Sequence, residues 1–215
     1  MGEIRELARA VAADPGKPVR QEARASQRLS LNLATHPSSW SQEQADETVR
    51  RYTELAPVWD GERGGYRPVP LADALRRGGP FPAGPCLEVG CGTGLLSGLL
   101  AEVWPELISL DLTWAMLTRS SVPRRVLGDA SQLPVRAGCA AAVVLADVPL
   151  FAGEVVRALA PDGVVVWSNA LGEDAPHHVP IPPVLAALED ASGATWSAVT
   201  SPAGWGLWAV LRRES

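Results

Sequence analysis

The stretch LEVGCGTG, residues 87–94, places three glycines at alternate positions between a short apolar run and the helical pattern of residues 95–104. Glycine destabilises regular structure by roughly 0.5 to 1 kcal/mol, so this cluster indicates a turn with positive φ or a backbone that a ligand approaches closely. A glycine turn between a strand and a helix is typical of sites for nucleotide-like ligands. We therefore predict a ligand site at Gly90, Gly92 and Gly94.

Apolar strand-like runs alternate with helical stretches after this turn, from CLEV to PPVLAALED. Repeated strand and helix units with continuously apolar strands predict a parallel sheet covered on both faces. The last two runs, ATWSAVT and GLWAVLRR, are separated only by SPAGW, which is too short for a crossover helix. They predict an antiparallel hairpin. The fold class is therefore α/β, a doubly wound and mostly parallel sheet with a C-terminal hairpin.

The chain divides into two predicted parts. We expect residues 1–80 to form an N-terminal helical arm and substrate lid, and residues 81–215 to form the ligand-binding core. Residues 1–38 are rich in Ala, Arg and Pro, which predicts a short helix followed by a loosely ordered arm, with a disordered tail as the alternative.

Two helices are predicted within the lid. Ser41 and Gln44 have the spacing of a capping box, which begins a helix that runs to about Leu55. The stretch LADALRR predicts a second helix, which ends at Gly78 and Gly79.

Composition excludes several classes of protein. The 215 residues carry a net charge of -5 and contain no basic run, which argues against binding to nucleic acid. No stretch approaches the roughly 20 apolar residues that span a bilayer, so we expect no membrane partner. The chain contains three cysteines, Cys86, Cys91 and Cys139, which is an odd number without the spacing of a zinc site. We therefore predict free thiols, a cytoplasmic location and no bound metal.

Acidic residues follow the predicted strands, and ligands of doubly wound sheets lie beyond these strand ends. Asp111 comes about 20 residues after the glycines, where a carboxylate accepts hydrogen bonds from both ribose hydroxyls; an exposed helix cap is the alternative. Asp129 is placed to face an adenine amino group, with a plain turn or cap as the alternative. Asp147 follows the fourth strand, where it is a base, a ligand to an amine, or a helix cap.

Two ligand classes fit a glycine turn of this kind, a dinucleotide and S-adenosylmethionine. The dinucleotide fingerprint is G-x-G-x-x-G, with a pyrophosphate on the helix N-terminus, whereas this chain has G-x-G-x-G. Glu88 lies just before the glycines, and a fixed carboxylate repels a pyrophosphate but suits an ammonium and a sulfonium. The acid favours S-adenosylmethionine.

These residues resemble the class I S-adenosylmethionine-dependent methyltransferases. The resemblance rests on LEVGCGTG, the acid at Asp111, and the segments GDASQLP and VVRALAPDGVVVW. It implies a Rossmann-like sheet of seven strands with an antiparallel last strand, and S-adenosylmethionine as cofactor. It also implies that the glycine loop lies beneath the methionine part, that Glu88 engages the amino end, that Asp111 binds ribose and that Asp129 reaches adenine. The implied cofactor-binding residues are Tyr52, Glu88, Gly90, Cys91, Gly92, Gly94, Asp111, Leu112, Asp129, Ala130 and Asp147.

The resemblance extends to the lid. The stretch YTELAPVWD resembles the lead helix of small-molecule members, in which an aromatic residue closes over the cofactor. Tyr52 is the expected residue, with Tyr66 in reserve. Trp59 and Tyr66 are the expected substrate contacts, since aromatic surface suits a flat or apolar small molecule. Simple packing of the first helix onto the sheet is the alternative.

Methyl transfer from a sulfonium is an in-line displacement that needs orientation and no covalent nucleophile. An oxygen or nitrogen acceptor that carries a proton benefits from a general base, and histidine titrates near neutral pH. His177 and His178 follow the fifth strand, so we expect one of them, or Asp147, to serve as the base. A solvent-exposed loop pair without a catalytic role is the alternative.

The sequence favours an enzyme that methylates an O or N atom of a small molecule. Bacterial secondary metabolism is the expected setting, since the excess of Arg over Lys is consistent with a GC-rich genome. The alternatives are a cofactor-binding module without methyl transfer, a peptide methyltransferase and, more distantly, an NAD-linked enzyme. The substrate itself and the oligomeric state are not predicted.

Overall fold

A computed structural model describes residues 2–17 and 23–214 of the chain. The part of the predicted arm at residues 18–22 therefore lies outside the described residues. The strands are β1 (Ile4–Glu6), β2 (Cys86–Val89), β3 (Leu107–Asp111), β4 (Arg125–Leu127), β5 (Ala140–Ala146), β6 (Leu159–Asn169), β7 (Trp196–Ala203) and β8 (Gly206–Arg213). Within the described ranges, these eight strands form one sheet in the order β1-β7-β8-β6-β5-β2-β3-β4.

The helices lie before and between these strands. They are α1 (Ala23–Thr35), α2 (Gln42–Leu55), α3 (Trp59–Arg63), α4 (Pro68–Arg77), α5 (Ser97–Val103), α6 (Trp114–Leu117), α7 (Ala152–Ala158) and α8 (Ile181–Ser192). Short 3-10 turns occur at Pro37–Ser39, Ala56–Val58, Ala130–Gln132 and Gly172–Asp174. The capping box that begins α2 is confirmed, because the Ser41 side chain accepts from Gln44 N–H and the Gln44 side chain accepts from Ser41 N–H.

The strand pairing confirms a doubly wound sheet. β2 lies between β3 and β5 and is parallel to both. The chain moves outward from β2 to β4 and then returns to β5, so the strand order reverses beside β2. Ligands of such sheets bind at this reversal. β8 is antiparallel to both β6 and β7, which confirms the predicted C-terminal hairpin.

The sheet has one strand more than the seven expected. β1 lies at the sheet edge and pairs in parallel with β7, with Ile4 opposite Ala198. The composition of residues 1–38 instead predicts a short helix followed by a loosely ordered arm, or a disordered tail. Three residues carry no readable strand periodicity, and their partner strand lies about 190 residues later, so the pairing depends on the assembled sheet.

Apolar layers cover both faces of the sheet, because successive strand residues point to opposite sides. Val143 and Val165 pack with α7 and α8 on one face. Val144 and Val166 pack with α4 and α5 on the other. α4 is integral to this second layer: its Leu71 and Ala74 side chains are buried, and its buried Asp73 accepts hydrogen bonds from Trp208 and Arg77. The core therefore includes part of the predicted lid region.

Candidate active site

A cleft opens at the carboxyl ends of β2, β3, β4 and β5, beside the reversal of strand order. One wall comes from the loops that follow these strands, and the other comes from α1, α2 and the segment that follows α2. The lining residues are Leu29, Trp40, Thr48, Tyr52, Trp59, Arg67, Val89, Gly90, Gly92, Leu110, Asp111, Leu112, Thr113, Met116, Gly128, Asp129, Ala130, Asp147, Val148, Pro149, Phe151 and His177. We refer to this space as the main cleft.

The glycine turn forms the floor of the main cleft. Gly90 and Gly92 line it with φ angles of 70° and 58°, in the left-handed region that favours glycine. A Cβ at Gly90 would lie 2.2 Å from Cγ1 of Val148, so the backbone of Gly90 packs directly against the Val148 side chain. A Cβ at Gly92 would lie 3.6 Å from Nε1 of Trp59, on the cleft side of the turn. Cys91 and Gly94, both predicted to bind cofactor, are not part of the lining.

Asp111 joins the end of β3 to the glycine turn. Its carboxylate accepts hydrogen bonds from the backbone N–H of Gly92 at 2.8 Å and of Thr113 at 2.7 Å. Burial raises the pKa of Asp111, and these two hydrogen bonds act in the opposite direction. A carboxylate has about four lone-pair positions, so acceptor capacity remains toward the cleft. Asp111 is thus a buried cleft residue and not the exposed helix cap considered as the alternative.

Asp129 occupies the loop after β4 and combines two roles. One carboxylate oxygen caps the following 3-10 turn by accepting from Ser131 N–H at 2.7 Å. The other accepts from the indole N–H of Trp40 at 2.9 Å. The side chain therefore fixes Trp40, which packs edge-on against Phe151, over this end of the cleft. Ala130 and Leu112, both predicted to bind cofactor, line the same space.

Glu88 does not face the cleft, in contrast to its predicted role at the amino end of the cofactor. Its side chain is buried beneath the turn and accepts hydrogen bonds from the hydroxyls of Ser97 and Ser109, and it is not among the cleft-lining residues. Burial raises its pKa to about 7, although the two hydroxyls act to lower it. The prediction that the Glu88 carboxylate faces the ammonium and sulfonium of the ligand is therefore not supported. The buried Glu88 instead links β2, β3 and α5.

Tyr52 lines the main cleft and contacts a buried histidine. Its hydroxyl lies 3.2 Å from Nε2 of His177, and Nδ1 of His177 lies 2.8 Å from the hydroxyl of Ser30. Burial lowers the pKa of His177 to about 3, and the positive charges of Arg51 and Arg67 lower it further. His177 is therefore neutral near pH 7, with both ring nitrogens engaged. Its geometry suits positioning of Tyr52 better than proton abstraction.

The other two base candidates differ in position. His178 is not part of the cleft lining, and its Nδ1 lies 3.1 Å from the side-chain oxygen of Asn169. Asp147 lines the cleft with a φ of 55°. Its carboxylate forms an ion pair with Arg67 at 3.1 Å and accepts from Ala170 N–H at 3.0 Å. Two of the three candidates, His177 and Asp147, therefore line the cleft. Asp147 is the better candidate for a base, because both ring nitrogens of His177 are engaged.

The two predicted substrate contacts are separated. Trp59 lines the main cleft and packs edge-on against Tyr52, with ring centroids 5.5 Å apart. Tyr66 packs against Trp205 instead and lines a neighbouring cavity rather than the main cleft. Trp59 therefore remains placed for a role at the cleft, and Tyr66 is not placed to close over it.

Several lining residues were not anticipated. Val148, Pro149 and Phe151 lie within the four residues after Asp147, so the strand-end rule that selected Asp147 also applies to them. Leu29 and Arg67 come from segments outside the sheet, and no local pattern connects them with the glycine turn.

The described residues contain no helix that is both long and apolar enough to cross a membrane. In the same part of the chain, no three or more His, Cys, Asp or Glu side chains cluster as a metal site would require. Cys86, Cys91 and Cys139 are free thiols. The cytoplasmic location stays a prediction.

Comparison with known protein families gives a match to a methyltransferase domain over residues 87–167. Among curated proteins, the chain is 30% identical over 106 residues to a malonyl-[acyl-carrier protein] O-methyltransferase from Serratia marcescens. This alignment covers 44% of the chain and 42% of the relative, so the chain matches less than half of that relative's length.

Solved structures share the fold over most of the chain at low sequence identity. The structure of DhpI in complex with SAH has a TM-score of 0.60 at 21% identity and covers 81% of this chain and 98% of that chain. A SAM-dependent methyltransferase from Aquifex aeolicus has a TM-score of 0.58 at 16% identity, with coverages of 75% and 97%. These similarities confirm the predicted fold.

Proposed function

We propose that this chain, which belongs to the class I S-adenosylmethionine-dependent methyltransferases, transfers a methyl group to an O or N atom of a small molecule. The matched methyltransferase domain and the fold confirm the family predicted from the sequence, and the cofactor of that family is S-adenosylmethionine. One observation carries the proposal: the glycine turn, Asp111 and Asp129 line the same cleft as aromatic residues from outside the sheet.

The residues of the main cleft fit this cofactor. Gly92 leaves the cleft side of the turn without a side chain, so a ligand can approach the backbone closely. Asp111 retains acceptor capacity for ribose hydroxyls beyond its two backbone hydrogen bonds. Asp129 and Ala130 would hold the adenine end, beside Trp40. Bound S-adenosylmethionine supplies an activated methyl group on a sulfonium.

The protein's own contribution is then binding, orientation and exclusion of water. Positioning alone provides much of the acceleration in a displacement of this kind, provided that the reacting atoms are held about 3 to 3.5 Å apart. Tyr52, fixed by His177, and Trp59 form the aromatic wall that would orient the acceptor. Asp147 would position the acceptor or take its proton, since its carboxylate lines the cleft.

The lid proposal follows from the same geometry. Residues 23–67 supply Leu29, Trp40, Tyr52 and Trp59 to the cleft, whereas α4 and β1 pack into the core and the sheet. We therefore propose residues 23–67 as the substrate lid, in place of the whole of residues 1–80. The remaining described residues would form the cofactor-binding core.

A methylation assay tests the proposed function. The protein is incubated with methyl-labelled S-adenosylmethionine and a panel of phenols, carboxylic acids, amines and short peptides, and labelled products are identified by mass spectrometry. We expect a labelled small-molecule product that is lost in Gly92→Ala. Labelling of peptides alone, or binding of S-adenosylhomocysteine with no product across the panel, would contradict the proposal.

A further inference from the structure

Three features of the main cleft that fit the cofactor follow the order of the strands. The glycine turn follows β2, Asp111 ends β3 and Asp129 follows β4, and these strands are neighbours in the sheet. Adjacent strands lie about 4.8 Å apart, so the three loops are spaced along one edge of the sheet. With the methionine part at the glycine turn and ribose at Asp111, the adenine of S-adenosylmethionine falls at Asp129.

Asp129 is held by a hydrogen bond to each of its carboxylate oxygens. Oδ1 accepts from the backbone N–H of Ser131 at 2.7 Å, and Oδ2 accepts from the indole N–H of Trp40 at 2.9 Å. The χ2 torsion of an aspartate is only broadly restricted, so the bond to Oδ1 alone would let the carboxylate plane turn. The second bond, from Trp40, fixes that plane. A carboxylate has about four lone-pair positions, so acceptor capacity remains for a ligand.

The indole that makes the second bond is itself restrained. Trp40 lies directly before the capping box of α2, and its backbone N–H donates to the carbonyl of Pro37 at 3.2 Å. Its ring packs edge-on against the buried Phe151, with ring centroids 5.6 Å apart. Both rings line the main cleft beside Asp129. The Trp40 N–H is therefore a donor of fixed direction, with which the Asp129 carboxylate aligns.

We propose that Trp40 is a positioning residue for the adenine end of the cofactor site, through which Asp129 selects a 6-amino purine over a 6-oxo purine. This inference rests on the proposed function and adds to it a lid residue that determines cofactor specificity. An adenine amino group donates to the carboxylate, whereas a 6-oxo group places an acceptor there and moves the donor to N1. A carboxylate of fixed plane does not turn to follow that donor, so two acceptors face each other and affinity falls.

Two ligands that differ at one purine position test the inference without knowledge of the methyl acceptor. S-adenosylhomocysteine and S-inosylhomocysteine, which carries the 6-oxo group, are each titrated by calorimetry into the full chain. The ratio of their Kd values measures selectivity for adenine. Trp40→Phe keeps an aromatic ring and removes the N–H. Trp205→Phe is the matched control, because it removes an indole N–H that donates to the carbonyl of Asp14, and Trp205 does not line the main cleft.

Melting temperatures verify that each variant folds. If Trp40→Phe does not fold, Trp40 is replaced by 3-benzothienylalanine, which has nearly the shape of tryptophan with sulfur in place of the N–H. The same ratio of Kd values then tests the loss of the donor alone.

We expect the wild type to favour S-adenosylhomocysteine and Trp40→Phe to lower its selectivity by about 3- to 30-fold, as for residues coupled in one hydrogen-bond network. Trp205→Phe should keep the wild-type ratio. A purely structural defect would weaken both ligands equally and leave the ratio unchanged. Asp129→Asn should also lower the ratio, and Trp40→Phe added to it should cause no further change, because Trp40 acts through Asp129.

Three results in the variants would overturn the inference: an unchanged ratio in Trp40→Phe, an equal decrease in Trp205→Phe, or a full further decrease when Trp40→Phe is added to Asp129→Asn. Equal binding of the two ligands by the wild type would also overturn it. Each of these results leaves S-adenosylhomocysteine bound and the proposed methyl transfer intact. Failure of the wild type to bind S-adenosylhomocysteine would instead contradict the proposed function and the inference together.

Discussion

Three glycine-to-alanine substitutions separate the role of the glycine turn in ligand binding from its role in folding. Gly90, Gly92 and Gly138 all have left-handed φ angles, 70°, 58° and 67° respectively. An added Cβ meets Cγ1 of Val148 at 2.2 Å in the first case and Nε1 of Trp59 at 3.6 Å in the second, and it meets nothing within 4 Å in the third. Gly138 lies outside the main cleft and is the matched control.

The structure sets the expected magnitudes. The left-handed conformation costs a non-glycine residue roughly 1 to 2 kcal/mol, and all three variants share this loss. For a chain of this size, such a loss lowers the melting temperature by about 2 to 8 °C. Gly90→Ala should lose about 1 to 3 kcal/mol more, because the stiff, branched Val148 must move to relieve the overlap. Gly92→Ala has ordinary clearance, so its additional effect should fall on the ligand.

Thermal unfolding and calorimetry with S-adenosylhomocysteine measure the two effects separately. Gly92→Ala and Gly138→Ala should melt at similar temperatures, and only Gly92→Ala should lose affinity for the ligand. Normal ligand affinity in Gly92→Ala, or an equal loss in Gly138→Ala, would refute the assignment of the glycine turn as the floor of the cofactor site.

Three further substitutions test individual side chains. Asp111→Asn should weaken binding of S-adenosylhomocysteine by about 1.5 to 3 kcal/mol in calorimetry, because one accepting oxygen is replaced by a donating amide; unchanged affinity would place the ribose contact elsewhere. Tyr52→Phe should lower the free energy of unfolding in urea by about 1 to 3 kcal/mol, since the buried Nε2 of His177 loses its partner, and no change would argue against that hydrogen bond. Glu88→Gln should remove a pH dependence. Burial raises the pKa of Glu88 from 4.5 to about 7, so its contribution to stability is complete below pH 4.5 and is lost as the pH rises through 7. His177 has the opposite slope, because its pKa is lowered from 6.5 to about 3 and its contribution is lost as the pH falls through that range. The difference in unfolding free energy between wild type and Glu88→Gln isolates the carboxyl, and a difference that is constant from pH 4 to pH 8 would contradict the raised pKa.

Local patterns were sufficient to predict much of the fold. The glycine turn at residues 87–94 and the apolar runs that form β2 to β6 each encode their structure within a short window. The segment SPAGW correctly predicts the C-terminal hairpin, although its first three residues extend β7 and only residues 204–205 connect the two strands. The capping box at Ser41 is equally local, because its two hydrogen bonds join residues three apart. The strand-end rule then placed Asp111, Asp129 and Asp147 at one edge of the sheet.

Contacts between distant segments were decided only by the tertiary structure. Ile4–Glu6 becomes a strand because β7 offers an open edge, and nothing in those three residues encodes that partner. Adjacent His177 and His178 separate because one meets Ser30 and Tyr52 while the other meets Asn169.

The electrostatic environment of Glu88 likewise depends on the assembled molecule. Its carboxyl lies among Ser97, Ser109 and the buried sheet, so its pKa and its distance from the cleft follow from packing and not from its place before the glycines. Charge interactions and burial depend on what surrounds a group in space. The sequence by itself therefore determined the class of fold and the edge of the sheet that holds the cleft, whereas the tertiary structure decided which side chains face the cleft and which are buried behind it.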